Sequence, residues 1–286
     1  MTNQSQEKSI FRRMMTIDHR IIYVILAVAI AFPLFNPVGF PVAREAPAAE
    51  LYRVLTSFPA GTPVLFTADF SASGAVELRP MVEVLVEASL LAGHRIILMA
   101  LWADGANLMW AYTDPIFQRH NSVYGVDWVD IGFVPQSAAF LDNARSDLRD
   151  AWNANRDRHR DSLDDFPLLD GIYTATDIHA VVSFGTGSPG WDNWVGQWRA
   201  TGHVDYILAA QVAVNYPNAL AAFNAGNIQG VAGGLGGAAT LEMEHGIIGS
   251  AHGNSDAQSF GHAAIILFLI LGNIGYFGAK KAGEVK

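Results

Sequence analysis

Two charge-free apolar runs near the ends of the chain constrain most strongly what it can fold into. The first covers residues 21–40 and the second residues 260–278. About 20 consecutive apolar residues match the hydrocarbon thickness of a bilayer. Only 16% of the 286 residues are charged, whereas average soluble domains have roughly 25%. We therefore predict two transmembrane helices, at 21–40 and 258–279, in preference to two buried core helices.

The distribution of charge predicts the orientation of these helices. Residues 1–20 and residues 279–286 each carry a net charge of +2, whereas between them eleven arginines face 24 acidic residues, a net charge of −13. Positively charged flanks stay in the cytoplasm. We therefore predict a two-pass protein of the cell membrane with cytoplasmic tails at 1–20 and 280–286 and its main domain extracytoplasmic. All four lysines lie in the tails: Lys8, Lys280, Lys281 and Lys286.

A cleaved signal peptide is the alternative interpretation of the first run. The run follows a basic segment, and Ala46-Pro47-Ala48 resembles an A-x-A cleavage site. The proline inside that patch and the length of the basic segment argue against cleavage. In either case the second run would anchor the protein.

The region between the two runs alternates apolar strands with helices. We predict a stalk at 41–50, a folded domain at 51–246 and a linker at 247–257. Apolar strands that alternate with helices are typical of a parallel sheet covered on both faces. The predicted fold is therefore a three-layer α/β domain, Rossmann-like or flavodoxin-like, with a mostly parallel sheet of about six strands. The predicted strands are 64–70, 95–102, 127–135, 179–185, 205–211 and 227–233.

Polar residues at the ends of these strands are the candidate site. In open α/β sheets, ligands bind beyond the carboxyl ends of the strands. Asp69 ends a buried strand, so its carboxylate is poorly solvated and its pKa is open to perturbation; Asp104 follows the next strand. These two are the candidate catalytic residues, and Thr186 and Ser188 are candidate ligand-binding residues. The alternative is that Asp69 only caps a loop or a helix.

A glycine cluster after the last predicted strand is a second candidate. Closely spaced glycines let backbone N–H groups approach an anion at a helix N-terminus. A small anion or a partner peptide would be the ligand, and no lysine follows to make a P-loop. Tight packing of strand on helix is the alternative explanation. The candidate ligand-binding residues are Gly233, Gly234, Gly236 and Gly237.

A second glycine pattern, with glycines at 185, 187 and 190, matches a dinucleotide fingerprint. The acidic residue 20 positions later, Asp205, begins its predicted strand and so lies at the wrong end for a ribose. Ser188-Pro189 also fits a helix N-cap followed by its first residue. We predict no cofactor.

Several classes of function are disfavoured. The absence of cysteine excludes disulfides and thiol chemistry, and the net charge of −9 disfavours nucleic acid as a partner. Glu242 and His245 have the i, i+3 spacing of helix-bundle metal sites, but the pair occurs once, so we predict no metal. The charge-rich segment 145–165 is interpreted as solvated surface or as an arm that contacts a partner. Three tryptophans form a helical stripe, either core-facing or a sugar platform: Trp191, Trp194 and Trp198.

Three segments carry a resemblance. They are TADFSASGAVELRPMVEVLVEASLLAGHRIILMALWADGA, DIGFVPQSAAFL and GNIQGVAGGLGGAATLE. Together they resemble a family of uncharacterised prokaryotic proteins with a terminal membrane anchor and a Rossmann-like domain. The resemblance covers about residues 60–245 and implies the fold and the anchoring, but no activity. Gly132-Phe-Val-Pro135 departs from the family's G-x-K-P-G-like strand end, with valine in place of lysine.

Two functions remain open. The first is a membrane-tethered extracytoplasmic binding or scaffold module in a complex with other membrane or envelope proteins. The second is an extracytoplasmic enzyme that acts on envelope glycans or another small ligand at the strand ends. Glycines in the second run also predict homo-oligomers through Gly272 and Gly275, because small residues let membrane helices approach closely.

Overall fold

The structure is a computed structural model that describes residues 10–135 and 137–283. It divides into a helical unit, Met1–Pro41 with His252–Lys286, and an α/β unit, Val42–Ala251. Lys8 and Lys286 of the predicted tails lie outside the described residues. In chain order the helices are α1 Ile10–Met15, α2 His19–Phe35, α3 Ala46–Thr56, α4 Ala75–Leu91, α5 Ala103–Arg119, α6 Ser137–Asn143, α7 Leu148–Ala151, α8 Trp191–Trp194, α9 Tyr216–Asn224, α10 Gly234–His245 and α11 Ser250–Lys281.

A six-stranded parallel sheet forms the centre of the α/β unit. Its strand order is β3-β2-β1-β4-β5-β6, and every pairing is parallel. This confirms the predicted α/β class and matches the doubly wound Rossmann order rather than the flavodoxin-like order. The strands are β1 Pro63–Asp69, β2 Arg95–Ala100, β3 Trp128–Phe133, β4 Ala180–Gly185, β5 Tyr206–Gln211 and β6 Gly230–Gly233.

Helices cover both faces of the sheet. Alternate strand residues point to opposite faces, and because both sets are apolar, both faces are buried. In β1, Val64, Phe66 and Ala68 join the core beneath α3, α4, α5 and α10. Leu65 joins the opposite core, beneath α6 to α9. A π-helical turn, Val195–Arg199, extends α8, and short 3₁₀ helices complete the connections: Ala72–Gly74, Leu163–Asp165, Pro167–Leu169 and Ala175–Asp177.

The segments predicted as a stalk and a linker are partly helical. Helix α3 begins at Ala46, and its residues Ala48 and Leu51 are fully buried in the core. A Cβ on Gly230 of β6 would overlap the backbone of Leu51, so α3 packs directly on the sheet. Cleavage after Ala48 would therefore cut a packed helix. At the other end, α11 begins at residue 250, inside the predicted linker 247–257.

The charge-rich segment 145–165 folds back onto the α/β unit. Trp152 is fully buried and Asp157 is 2% exposed. The Arg149 guanidinium donates hydrogen bonds to the carbonyl oxygens of Leu169 (2.6 Å) and Ile172 (3.0 Å). The segment is thus not a protruding arm, and seven of its eleven charged residues are exposed, as expected for the predicted solvated surface.

In the helical unit, one helix among the described residues, α11, is long and apolar enough to cross a membrane. Helix α2 is apolar but has only 17 residues. The predicted span 21–40 is therefore helical only to Phe35. Pro37 explains the early end, because proline disfavours helical geometry in the preceding residue, Asn36, and has no N–H to donate.

A buried carboxylate in α11 holds the non-helical end of the first apolar run. Asp256 is 1% exposed and accepts backbone hydrogen bonds from Val38 (2.7 Å), Gly39 (2.8 Å) and Phe40 (3.0 Å). Gly39 has a φ of +71°, a left-handed conformation that glycine adopts without strain. We call this arrangement the Asp256 clasp. It satisfies three amides that no helix or sheet satisfies.

We expect Asp256→Ala to release these amides. Hydrogen bonds to a charged group contribute about 1.5–3 kcal/mol each, so the exchange of the amide hydrogens of residues 38–40 should accelerate at least about tenfold. Hydrogen–deuterium exchange of the detergent-solubilised protein measures this rate. Asp18→Ala is the matched control, because among the described residues the Asp18 carboxylate accepts only the Arg20 amide (2.9 Å), at the start of α2. Equal exchange in both variants would contradict the clasp.

The glycines predicted to mediate self-association differ in their surroundings. Gly275 is buried within the chain, and a Cβ there would lie 3.1 Å from the Met14 Cβ and from the Phe11 carbonyl oxygen. A Cβ on Gly272 would meet no atom within 4 Å. Gly275 is therefore occupied by α1 of its own chain and does not offer the predicted surface to a second copy. Self-association through Gly272 stays a prediction.

Candidate functional site

Asp69 is the last residue of β1, in the middle of the sheet. Its neighbours across the strands are Leu101, just beyond β2, and Gly185, the last residue of β4. Strand β1 lies between β2 and β4. Strands β2 and β3 continue the sheet on one side of β1, and β4, β5 and β6 continue it on the other side. Ligands of doubly wound folds bind in the crevice at this switch of direction. Asp69 therefore lies at the carboxyl edge of the sheet, as the sequence predicted.

Burial dominates the chemistry of Asp69. The side chain is fully buried, and the resulting loss of solvation raises its pKa to about 7. Hydrogen bonds to Oδ1 from the Leu101 amide (2.9 Å) and the Thr67 hydroxyl (2.8 Å) lower the pKa of Asp69, because they stabilise the carboxylate. A carboxyl with this pKa exchanges its proton near neutral pH, as a general acid or base does.

Three buried polar atoms around Asp69 lack hydrogen-bond partners within the described residues. They are Asp69 Oδ2, the Ser183 hydroxyl and the Trp194 indole nitrogen. Ser183 and Trp194 lie close enough to Asp69 to lower its pKa, yet outside hydrogen-bonding geometry. Trp198, by contrast, donates its N–H to the Leu141 carbonyl (2.9 Å). Because unsatisfied buried polar groups are rare in folded proteins, this cluster is the most unusual polar feature of the sheet edge.

Side chains of the protein itself close the crevice beside Asp69. A Cβ on Gly74, just before α4, would overlap the Thr186 methyl group, so Thr186 fills the space above the start of α4. A Cβ on Gly105 would overlap the Ala68 carbonyl oxygen, so the first turn of α5 lies directly on β1. The predicted ligand-binding residue Thr186 thus packs against its own chain.

Helix α4, the helix that follows β1, has its N-terminus occupied. The Glu77 carboxylate in its first turn accepts a hydrogen bond from the Ala213 amide (2.7 Å). This is the place where a doubly wound dinucleotide-binding domain receives a pyrophosphate. A fixed carboxylate there repels an anion.

The other two strand-end candidates lie outside the buried cluster. Asp104 is exposed in the first turn of α5, whereas Asp69 is fully buried, so the two carboxylates do not share one environment. The Ser188 hydroxyl donates to Asn193 Oδ1 (3.2 Å). Ser188–Pro189 is a cis peptide, and α8 begins only at Trp191 with Gly190 as its N-cap. The prediction that Ser188 caps the helix is therefore wrong.

Ser188 lines a small polar cavity at the carboxyl ends of β4 and β5. Its volume is about 200 Å³, below the roughly 300–1,000 Å³ of typical small-molecule sites. Gln211 closes its inner end, and its amide nitrogen donates to the Ala210 carbonyl (3.0 Å). This cavity accepts at most a very small polar molecule.

Packing explains the glycine cluster. A Cβ on Gly233 would overlap the Tyr216 ring, and a Cβ on Gly236 would overlap the Glu45 carboxylate. Burial raises the pKa of Glu45. The chain's own acidic group therefore occupies the start of α10, where the sequence suggested an external anion. The other two glycines also have close neighbours. Gly234 has a φ of +60°, and a Cβ on it would lie 3.0 Å from the Ala213 Cβ. A Cβ on Gly237 would lie 3.1 Å from the Ala232 carbonyl carbon.

The remaining candidates have structural roles. Trp194 and Trp198 are fully buried, so they are core residues and not a sugar platform. The Glu242 carboxylate accepts the amides of Gly249 (3.1 Å) and Ala251 (2.8 Å). Across residues 10–135 and 137–283, no group of three or more histidine or acidic side chains has a geometry that could hold a metal ion.

Sequence reasoning missed an ion pair at the end of β3. Asp130 is 1% exposed, and its carboxylate lies 3.0 Å from the Arg158 guanidinium and accepts the Gly132 amide (2.7 Å). Burial raises the pKa of Asp130, whereas the Gly132 amide and the arginine lower it. An acidic residue within an apolar strand, followed by an arginine-rich segment, was the available signal.

Comparison of the chain with protein-family models, with curated proteins and with solved structures found no match.

Proposed function

We propose that the chain is a two-pass membrane protein that presents its α/β unit outside the cytoplasm as a binding or scaffold module. Helices α2 and α11 cross the membrane, and the module belongs to a complex with other membrane or envelope proteins. The closed crevice at the sheet edge is the observation that favours a scaffold over an enzyme. With Thr186 above α4, Glu77 at its N-terminus and Asp69 fully buried, the usual ligand site of this fold is filled by the protein itself.

The surface of the helical unit supports membrane insertion of both helices. Large apolar side chains of α2 and of α11 are exposed, among them Tyr23, Val24, Val28, Leu269 and Phe277. Exposed apolar surface of this extent marks an interaction site in a protein, and lipid is the partner that accepts it on two helices at once. Helix α2 alone is short for a transmembrane span. The extended residues 38–40, whose amides donate to Asp256, add the missing length.

Cysteine-scanning of this naturally cysteine-free chain tests the topology. We expect Ala221→Cys, exposed on α9, to react with a membrane-impermeant maleimide in intact cells. Thr16→Cys and Ala282→Cys flank the two proposed spans on their cytoplasmic side and should react only after lysis. Labelling of Thr16→Cys in intact cells would contradict the crossing of α2, and protection of Ala221→Cys would contradict the export of the α/β unit.

An extracytoplasmic enzyme, acting on a glycan or another small ligand, is the second candidate. The raised pKa of Asp69 and the unsatisfied atoms of Ser183 and Trp194 favour it, but Asp69 is fully buried, so a substrate reaches it only if covering side chains move. Asp69→Asn distinguishes the two functions when its complex and its cellular phenotype are compared with wild type. If the protein is a scaffold, the Asp69→Asn variant should form a complex of wild-type size on a native gel and its cells should behave like wild type. If the protein is an enzyme, the complex should keep its size but the cells should behave like cells that lack the protein.

A further inference from the structure

A cavity separate from the buried Asp69 cluster lies at the carboxyl end of β3. It has a volume of about 430 Å³, is open to solvent and lies between the start of α5 and the segment 153–160. Its polar lining consists of two arginines, two asparagines and one acidic residue: Arg158, Arg160, Asn107, Asn153 and Asp157. Its size falls within the range of small-molecule sites, and the carboxyl edge is the side on which open α/β sheets bind ligands.

Arg158 is fixed in place at this cavity. Its guanidinium contacts Asp130 Oδ2 (3.0 Å), donates to the Ala106 carbonyl (2.9 Å) and to Asn107 Oδ1 (2.8 Å), and lies 4.9 Å from the centre of the Trp110 ring. Three of its five N–H groups are thereby bound. The other two have no acceptor within the described part of the chain. The cavity therefore contains a preorganised donor.

Arg160 is a second cation at the cavity, and no acidic side chain among the described residues pairs with it. Asp161 is adjacent in sequence but does not line the cavity, and Asp157, which does, is committed elsewhere. Its Oδ1 accepts the amides of His159 (2.9 Å) and Asp161 (2.7 Å), and its Oδ2 accepts the Tyr124 hydroxyl (2.6 Å). The carboxylate of Asp157 thus shapes the loop and leaves Arg160 available to a ligand.

The loop keeps this shape in an unusual backbone conformation. Four of its residues other than glycine have a positive φ: Asn153 (48°), Ala154 (55°), Asn155 (62°) and Arg160 (73°). Such conformations are uncommon outside glycine and cluster at functional sites. The conformation places Asn153 and Arg160 together on the cavity wall.

We propose that this cavity binds a small organic anion through a carboxylate or phosphate group. Arg158 provides the fixed fork, since a planar guanidinium matches the geometry of both anions. Arg160 supplies the second charge, and the Asn107 side chain contacts the uncharged part of the ligand. Asp130 neutralises Arg158 from behind and so lets two arginines share one cavity. This site goes beyond the proposed scaffold role and names the chemistry that the module binds.

Binding of ribose 5-phosphate to the full-length protein in nanodiscs tests the proposal, with inorganic phosphate as the minimal probe. Isothermal titration calorimetry should show binding by wild type. Arg160→Gln should weaken it about tenfold or more, because the lost hydrogen bond is charge-assisted. Arg156→Gln, an exposed arginine of the same loop that does not line the cavity, is the matched control and should change affinity less than about twofold.

A third variant separates the cavity from a diffuse positive field. Ala103→Trp places a large side chain at the cavity wall and keeps every charge; it should abolish binding of ribose 5-phosphate. Absence of binding by folded wild type at millimolar probe overturns the proposal, as does equal weakening in Arg160→Gln and Arg156→Gln, or unchanged binding in Ala103→Trp. None of these outcomes alters the cysteine-labelling pattern, so a failure here is distinguishable from a failure of the proposed membrane topology.

Discussion

Replacing Asp69 with asparagine is expected to stabilise the α/β unit above pH 7 by about 4 kcal/mol. The pKa of Asp69 rises from its ordinary 3.8 to about 7 in the folded protein. Between these values the folded state keeps a proton that the unfolded state releases, so stability falls as pH rises and reaches its minimum above pH 7. A shift of about three units corresponds to about 4 kcal/mol. Asparagine has no charge to bury and removes this penalty.

Urea unfolding from pH 4 to pH 9 measures the effect. All seven tryptophans lie in the α/β unit, so their fluorescence reports this unit alone. The difference between Asp69→Asn and wild type should be small near pH 4, grow through neutrality and level off above pH 7. Asp104→Asn, at an exposed carboxylate, is the control and should show no such trend. A pH-independent difference, or a less stable variant at pH 8, would show that Asp69 is not buried as a neutral acid.

Gly105→Ala is the second substitution with a large expected effect. Alanine ordinarily stabilises a helix relative to glycine by about 1 kcal/mol. Here the new Cβ would overlap the Ala68 carbonyl oxygen and lie 2.9 Å from its carbonyl carbon. Strand β1 pairs with strands on both sides and has no room to shift. We therefore expect a loss of about 3 kcal/mol or more, at the upper end of overpacking effects.

Gly196→Ala is the matched control, because a Cβ there meets no atom within 4 Å. It should be neutral or slightly stabilising by the same urea measurement. If Gly105→Ala unfolded at the wild-type urea concentration, α5 would not lie on the end of β1, and the crevice beside Asp69 would be more open than the structure shows.

The sheet could be predicted because its signals are local. Each strand is a short apolar run that ends at a turn, and the predicted range 95–102 contains the observed β2. The polar end of β1 likewise made Asp69 a candidate without any knowledge of its neighbours, and its position as the last residue of β1 is confirmed. Helix α3 was missed because Ala46-Pro47 resembles a stalk when considered alone, and only packing against Gly230 shows that its apolar face is buried.

The surroundings of the candidate site were not predictable because they depend on long-range packing. No residue near Gly236 in the sequence indicates that the Glu45 side chain packs against it. The position of Ser183 and Trp194 beside Asp69 likewise requires the register between β1 and β4 and the placement of α8. The pairing of Arg158 with Asp130 joins residues 28 positions apart across an irregular loop. A single sequence contains the residue types of such a site but not their distances.

The Asp256 clasp has a consequence for how the chain is made. Phe40 leaves the ribosome 216 residues before Asp256, an interval of about 10–40 s at ordinary rates of synthesis. Throughout that interval the amides of Val38, Gly39 and Phe40 have no carboxylate to receive them. The segment 38–40 therefore acquires these hydrogen bonds only after synthesis has reached α11. A product truncated before Asp256 lacks the carboxylate that accepts these three amides, and this difference distinguishes an unfinished chain from a finished one.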